Sequence, residues 1–252
     1  MLPVSVVIIC KNEADIIGRT IHSVQALTDD VVVVDSGSTD GTIAVIEAAG
    51  ATLVRSEWEG FGPTKNKGIA AARHNWILSI DADEQPDQTL IDSLHQVNLS
   101  DTHAVYNLKF KTYLGRKLVR YGEWGTDAHI RFFNRSTIRW NEATVHEQLV
   151  LPPGTSRKTL NGFIHHYSMK DLADYTTKMT QYALLSGEHY YQSGKRAGWI
   201  KRYLSPAFSF YRNYLFKLGF LDGREGYLIA RVTAYYTMLK YARLDELNRK
   251  TP

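Results

Sequence analysis

Trp76-Ile77-Leu78-Ser79-Ile80-Asp81-Ala82-Asp83 is the stretch that decides how this chain folds. An apolar run of that length, closed by acid, reads as a buried strand. A strand buried on both faces suits a parallel sheet, and ligands of such sheets bind beyond the carboxyl ends of the strands. Asp81 and Asp83 therefore fall where a ligand lies. Alternate residues of an extended chain face one side, so the two carboxylates can converge. Two hard oxygen ligands there can hold Mg²⁺ or Mn²⁺ against a diphosphate. Taken alone, an Asp-X-Asp triplet also suits a strand-end turn, with Pro86 opening the next helix. The surroundings favour the ligand site.

The first hundred residues alternate strand and helix. Val4 to Cys10, Val31 to Val34 and Ala51 to Val54 are further strands. Between them, Glu13 to Leu27 puts Ile16, Ile17, Ile21, Val24 and Leu27 on one helical face. Ser38-Thr39-Asp40 caps a helix that runs to Ala49, Pro63 opens one to about Arg73, and Pro86 opens one to about Val97. This order predicts an α/β fold with a mostly parallel, Rossmann-like sheet and helices on both faces. Val105 to Leu114 and Lys117 to Tyr121 read as a hairpin about Gly115-Arg116, and His129 to Asn134 and Thr144 to Val150 as short strands. From Leu172 the pattern is helical, broken near Gly194, at Pro206 and over residues 219–226.

The 252 residues are enough for one large domain, or one domain with an extension. The single cysteine, Cys10, lies in an apolar run, which excludes an intrachain disulfide and fits a reducing compartment. No apolar stretch approaches the roughly 20 residues that span a bilayer, and the first residues lack a signal-peptide pattern, so the expected location is cytoplasmic. The net charge of +4 hides an asymmetry. Residues 1–156 hold 14 Lys+Arg against 19 Asp+Glu, a net of −5, whereas residues 157–252 hold 16 against 7, a net of +9.

Four polar clusters gather at the carboxyl edge of the expected sheet: Lys11-Asn12-Glu13, Asp35 to Thr42, Lys65-Asn66-Lys67-Gly68, and Asp81 to Glu84. Asp35 can accept a hydrogen bond from a base or sugar, and Lys67 can offset diphosphate charge. Each also has an ordinary reading: Asp35 and Asp40 as turn and cap residues, Lys65 and Lys67 as a solvated helix face. All four in sheet order exceed what capping explains. Neither a Gly-X-X-X-X-Gly-Lys nor a Gly-X-Gly-X-X-Gly sequence occurs, which removes support for ATPase and NAD-dependent readings.

Ser5 to Glu13, Val32 to Thr42 and Leu78 to Glu84 resemble glycosyltransferase family 2, whose fold is GT-A. Gly60-Phe61-Gly62, Val145-His146-Glu147, His166-Tyr167-Ser168 and Gly219 to Gly223 are similar to bacterial lipopolysaccharide core β-1,4-glucosyltransferases. The resemblance implies an inverting, metal-dependent enzyme that moves a hexose, glucose from UDP-glucose, onto an inner-core sugar of lipopolysaccharide. It implies nucleotide contacts at Asn12 or Glu13, Asp35, Lys67 and Asp81. It places the metal directly on Asp83, has Asp81 touch the ribose or a metal-bound water and counts it with the metal residues, and makes His166 a further candidate ligand beside His165. Many members carry Asp-Asp where this chain has Asp35-Ser36, a departure at the base contact. Many also place the general base in a Glu-Asp pair; here His146-Glu147 occupies that stretch, with Glu147 the chosen base and Glu142 and Asp127 in reserve. Trp124 and Trp140 either stack on sugar rings or belong to the core.

The expected organisation is a nucleotide-sugar-binding and catalytic domain over residues 1–170 and a helical basic, aromatic extension over 171–252. That extension suits acceptor, dimer or anionic-membrane contacts, which would make the protein peripheral on the inner membrane. The alternatives left open are the same chemistry on a polyprenyl-linked glycan, a capsule precursor or a protein. A nucleotidyltransferase and a nucleotide-sugar- or membrane-binding module without activity also stay open. Nucleic acid is not expected as a partner.

Overall fold

A computed structural model describes residues 1–125, 127–141 and 147–250, except the side chain of Lys250. It opens with β1 (Val4–Cys10), buried along its whole length. Then come α1 (Ile17–Val24), β2 (Val31–Asp35), α2 (Thr42–Ala48), β3 (Thr52–Arg55), α3 (Phe61–Ala71) and β4 (Trp76–Asp81). β1 pairs in parallel with β2 on one side and β4 on the other, and β2 pairs in parallel with β3. The expected α/β architecture is therefore present. Alternation along β1 sends Val4, Val6, Ile8 and Cys10 to the face covered by Ile17, Ile21 and Val24 of α1 and Ile46 of α2. It sends Val7 to the opposite face, with Ile69 of α3. Helices on both faces follow from these two apolar sets.

After β4 come β5 (Glu84–Pro86), α4 (Gln88–His95), β6 (Ala104–Leu114), β7 (Lys117–Val119), β8 (Ala128–Asn134), β9 (Arg139–Trp140), β10 (Leu149–Val150) and β11 (Ser156–Met169). The sheet order is β3-β2-β1-β4-β8-β6-β11-β5, with β7 on β6 as the expected hairpin. β8 joins β4 antiparallel, so Phe132 lies beside Leu78 and Arg131 sits one residue beyond that pair. Pro86 does not open the expected helix; it ends β5, which pairs antiparallel with β11 so that Glu84 lies opposite His166. The helix begins at Gln88, and the Asp87 carboxylate caps it by accepting from the Leu90 N–H at 2.8 Å. Of the expected strand over 144–150, Leu149–Val150 is present, and residues 142–146 lie outside the described ones.

The remaining helices are α5 (Leu172–Gln192), α6 (Trp199–Tyr211) and α7 (Gly223–Lys250). α5 and α6 separate near Gly194 as expected. Pro206, however, lies inside α6 without ending it, and the irregularity comes later, as a π turn over Arg212–Phe216 and a 3₁₀ turn over Gly219–Asp222. Proline removes one donor, and the neighbouring hydrogen bonds carry the helix past it.

The chain divides into two units: Met1–Phe110 with Ala128–His166, and Lys111–Asp127 with Tyr167–Pro252. The second has its own core of Leu114, Val119, Tyr175, Ile229 and Val232, against which Trp124 packs edge-on to Tyr175. Burial pushes the Tyr175 phenol up to about 12. Within this unit, Asp222 Oδ2 accepts from the backbone N–H groups of Arg120 at 2.9 Å and Tyr121 at 2.8 Å. The Gly219 to Gly223 motif is thus a local clasp on the 111–127 segment.

Candidate active site

The carboxyl ends of β1, β2 and β4 bring three of the expected clusters to one edge. After β1, Asn12 takes a left-handed conformation (φ 56°), and its Oδ1 accepts from the Thr39 N–H at 2.8 Å. The Glu13 N–H donates to Thr42 Oγ1 at 2.8 Å. Asp35, buried at the end of β2, accepts from the N–H groups of Gly37 and Ser38 and from the Ser38 hydroxyl. Its carboxylate therefore organises its own loop. The Cys10 thiol lies 3.6 Å away, and burial together with Asp35 pushes it far above its usual range. Cys10 is a core residue, as expected.

α3 decides which lysine reaches the sheet edge. Gly68 permits its close approach: a Cβ there would stand 2.5 Å from Val7 Cγ1 and 2.7 Å from Val34 Cγ2. On the same buried side, Lys65 is 1 % exposed. Its Nζ lies 2.8 Å from Glu147 Oε1 and 3.5 Å from Asp81 Oδ1, and 4.7 Å from the centre of the Trp140 ring. Lys67, two residues on, turns away to Glu59 Oε1 at 2.8 Å and Ser56 Oγ at 2.9 Å. The structure thus puts Lys65, which also read as part of a solvated helix face, against Asp81, while Lys67 pairs with Glu59 and with Ser56, whose N–H donates to the Asp35 carbonyl.

Around Asp81 the charges are dense. Arg131 Nη2 lies 3.1 Å from Asp81 Oδ2 and 2.7 Å from Glu84 Oε1, while the Asp81 N–H donates to Glu84 Oε2 at 3.0 Å. Burial disfavours the Asp81 carboxylate, but Lys65 and Arg131 outweigh it and hold the group well below the usual range. For Glu84, burial prevails over Arg131 and pushes the group up. The loop between these acids is tied to α1, because the Thr20 hydroxyl donates to the Ala82 carbonyl at 2.6 Å. Asp83 meets His166, with Oδ2 3.5 Å from Nε2. Burial lowers the His166 pKa, yet the hydrogen bond and charge of Asp83, with Glu84 and Asp81 behind, raise it to about 9. Asp83 and His166 are therefore brought together, and Glu147 is joined to Asp81 through Lys65.

The residues fit a divalent cation in one respect that the structure itself supplies. Asp81 Oδ1 is buried without a hydrogen-bond partner, its nearest cation being the Lys65 ammonium at ion-pair distance, 3.5 Å. Among the described residues no three His, Cys, Asp or Glu converge as a complete cage. Magnesium-type ions use one or two carboxylates and complete their shell with water and substrate phosphates, and Asp81 and Asp83 are the carboxylates available for that role. His146 and Glu142 lie outside the described residues, and Asp127 belongs to the second unit. Arg131 was missed from the sequence. The available signal was a lone cation inside the apolar strand Ile130-Arg131-Phe132-Phe133. Trp140 is 6 % exposed and packs edge-on to Phe133, so it is a core residue whose ring also faces Lys65.

The sequence profile described as "Glycosyl transferase family 2" matches residues 5–142, more than half of the chain. The chain belongs to that family. It is thus a glycosyltransferase. Across 96 % of its length it is 28 % identical to the "Lipopolysaccharide core biosynthesis glycosyltransferase LpsC" of Rhizobium meliloti, covering 92 % of that protein. It is also 28 % identical, over 97 % of its length and 87 % of the relative, to an "Uncharacterized glycosyltransferase" of Rickettsia bellii. Among solved structures, glucosyl-3-phosphoglycerate synthase from Mycobacterium tuberculosis, "in complex with Mn2+, uridine-diphosphate (UDP) and glucosyl-3-phosphoglycerate", matches at 26 % identity and a TM-score of 0.35. That match spans 45 % of this chain and 44 % of the synthase chain, less than half of either. Among the described residues of this family 2 member, no helix is long and apolar enough to cross a membrane.

Proposed function

We propose that this glycosyltransferase moves glucose from UDP-glucose, with inversion, onto an inner-core sugar of lipopolysaccharide, and that it depends on Mg²⁺ or Mn²⁺. The observation that carries the reading is the Lys65 bridge, which joins Asp81, at the donor edge of the sheet, to Glu147. The similarity to LpsC over almost the whole chain supports the acceptor class. Asp83 and Asp81, with His166 at hand, are the residues that would hold the cation together with the donor diphosphate. The cation would supply Lewis-acid neutralisation of the departing nucleotide, worth several kcal/mol. Asn12, Glu13 and Asp35 shape the nucleoside pocket through the two loops they tie together.

Glu147 acts as general base. It takes the proton of the acceptor hydroxyl as that oxygen bonds to the anomeric carbon and the bond to the UDP oxygen breaks on the opposite face. Lys65 holds this carboxylate in place and keeps it paired until the acceptor arrives. The acceptor enters a cleft of about 520 Å³ that Glu147 lines together with Asn107, His129, Trp140, Gln148 and Arg157. Such a lining, mostly polar and partly basic, suits a hydroxylated and anionic sugar.

Calorimetry of UDP with and without Mn²⁺, on wild type and Asp83→Ala, tests the donor half. Tight UDP binding that requires Mn²⁺ and disappears in Asp83→Ala is expected. Equal binding in the absence of metal, or in the variant, would overturn the metal assignment.

A further inference from the structure

The second unit carries an exposed surface outside the residues assigned above to the transfer reaction. α6 has no buried residue along its thirteen positions. Its exposed side chains form a continuous stripe at helical spacing: Trp199, Ile200, Tyr203, Leu204, Phe208 and Tyr211, with Trp199 and Ile200 each 65 % exposed and Phe208 61 %. The turns that follow add Leu215 and Phe216, the latter 76 % exposed, and then Phe220 and Leu221. An apolar surface of this extent on one segment marks an interaction site.

Charge decides what covers it. Residues 189–221 hold six Lys+Arg and not one Asp or Glu. Arg202 is paired with Asp245 and Arg212 with Glu123. Lys195, Arg196, Lys201 and Lys217 have no carboxylate partner among the described residues. A second copy seated on this face would set basic residues against basic residues around an apolar stripe. An anionic bilayer surface complements both features, since aromatic side chains settle at the headgroup level and Lys and Arg reach lipid phosphates.

We infer that the segment from Lys195 to Leu221 is an interfacial membrane anchor that lies in the plane of an anionic lipid surface. It inserts the aromatic stripe of α6 and the tip around Phe216, while the lysines and Arg196 bind headgroups. No spanning helix is needed for this attachment.

Co-sedimentation of the full chain with vesicles tests it, using phosphatidylglycerol mixed with phosphatidylcholine against phosphatidylcholine alone. Two variants are compared: Trp199→Ser/Phe208→Ser/Phe216→Ser, and Lys201→Glu/Lys217→Glu. These side chains are exposed, so folding survives, which the thermal melt verifies. Wild type should partition to the anionic vesicles about ten-fold or more better than to neutral ones, and each variant should lose about ten-fold or more. Raising salt from about 0.1 M to about 1 M should weaken the attachment by shortening the Debye length. Equal partitioning to both vesicle types, or variants that bind like wild type, would overturn the inference. So would a dimer that the aromatic variant dissolves, with no vesicle binding by wild type, because the face would then belong to a second copy.

Discussion

Lys65→Met removes an ammonium that stands against two carboxylates, Asp81 and Glu147. The side chain is 1 % exposed, and methionine can occupy the volume of its stem, so the loss is chiefly electrostatic. Breaking a buried pair by deleting one partner costs about 3–5 kcal/mol. Here the side chains of Glu147 and Asp81 are 17 % and 29 % exposed, so water compensates part of the loss. The cation over the Trp140 ring at 4.7 Å adds a contribution of about 0.5–2 kcal/mol. The expected destabilisation of the first unit is therefore about 2–4 kcal/mol. With a urea slope of about 2 kcal/mol per M, in the middle of the usual range, the unfolding midpoint should fall by about 1–2 M. Glu147→Gln in the same background removes one of the two stranded charges. The double variant should accordingly be more stable than the sum of the single effects by about 1 kcal/mol or more. A Lys65→Met protein that unfolds at the wild-type urea concentration would refute Lys65 as the electrostatic centre of the site, and strict additivity would refute the bridge to Glu147.

Three further outcomes follow from the same geometry. Glu147→Gln should lower kcat by about 10²- to 10⁴-fold and leave the UDP Kd unchanged, as expected for loss of a general base; steady-state kinetics beside calorimetry check this. Gly68→Ala should cost about 1–3 kcal/mol in denaturant titrations, because the new methyl collides with Val7 and Val34 and pushes α3, and with it Lys65, off the sheet. In chelator-treated protein, His166 stays protonated up to about pH 9, above its ordinary value of 6.5. A raised folded-state pKa contributes stability that is complete below the unfolded value and is lost as pH rises through the folded one. Metal-free stability should therefore decline between about pH 6.5 and about pH 9, and His166→Gln should flatten that decline.

The parallel half of the fold was legible because strands such as Val4 to Cys10 and Trp76 to Ile80 are apolar on both faces, and intervening helices carry their apolar residues at one spacing. The position of Asp81 and Asp83 at the sheet edge followed from that alone. The identity of the lysine did not follow from counting charges in Lys65-Asn66-Lys67-Gly68. Two residues along a helix point to nearly opposite sides, and the deciding clue was that Lys65 shares a helical row with buried Ile69, four residues on, whereas Lys67 shares one with exposed Ala71. The meeting of His166 with Asp83 depends on β5 pairing with β11 across some eighty residues, a register that local pattern does not contain. Arg131 reaches Asp81 for the same reason, through the antiparallel addition of β8 to β4. Asp35 read as a base contact and as a turn former alike; its hydrogen bonds to Gly37 and Ser38 show the turn.

Donor turnover tests the proposed transferase activity most directly. Purified protein is supplied with a panel of nucleotide-sugars and Mn²⁺ or Mg²⁺, and release of free nucleotide is followed with and without deep-core lipopolysaccharide. Metal-dependent UDP release from UDP-glucose, stimulated by the acceptor, is the expected result. Release from another donor alone, or release that a chelator leaves untouched, would contradict it.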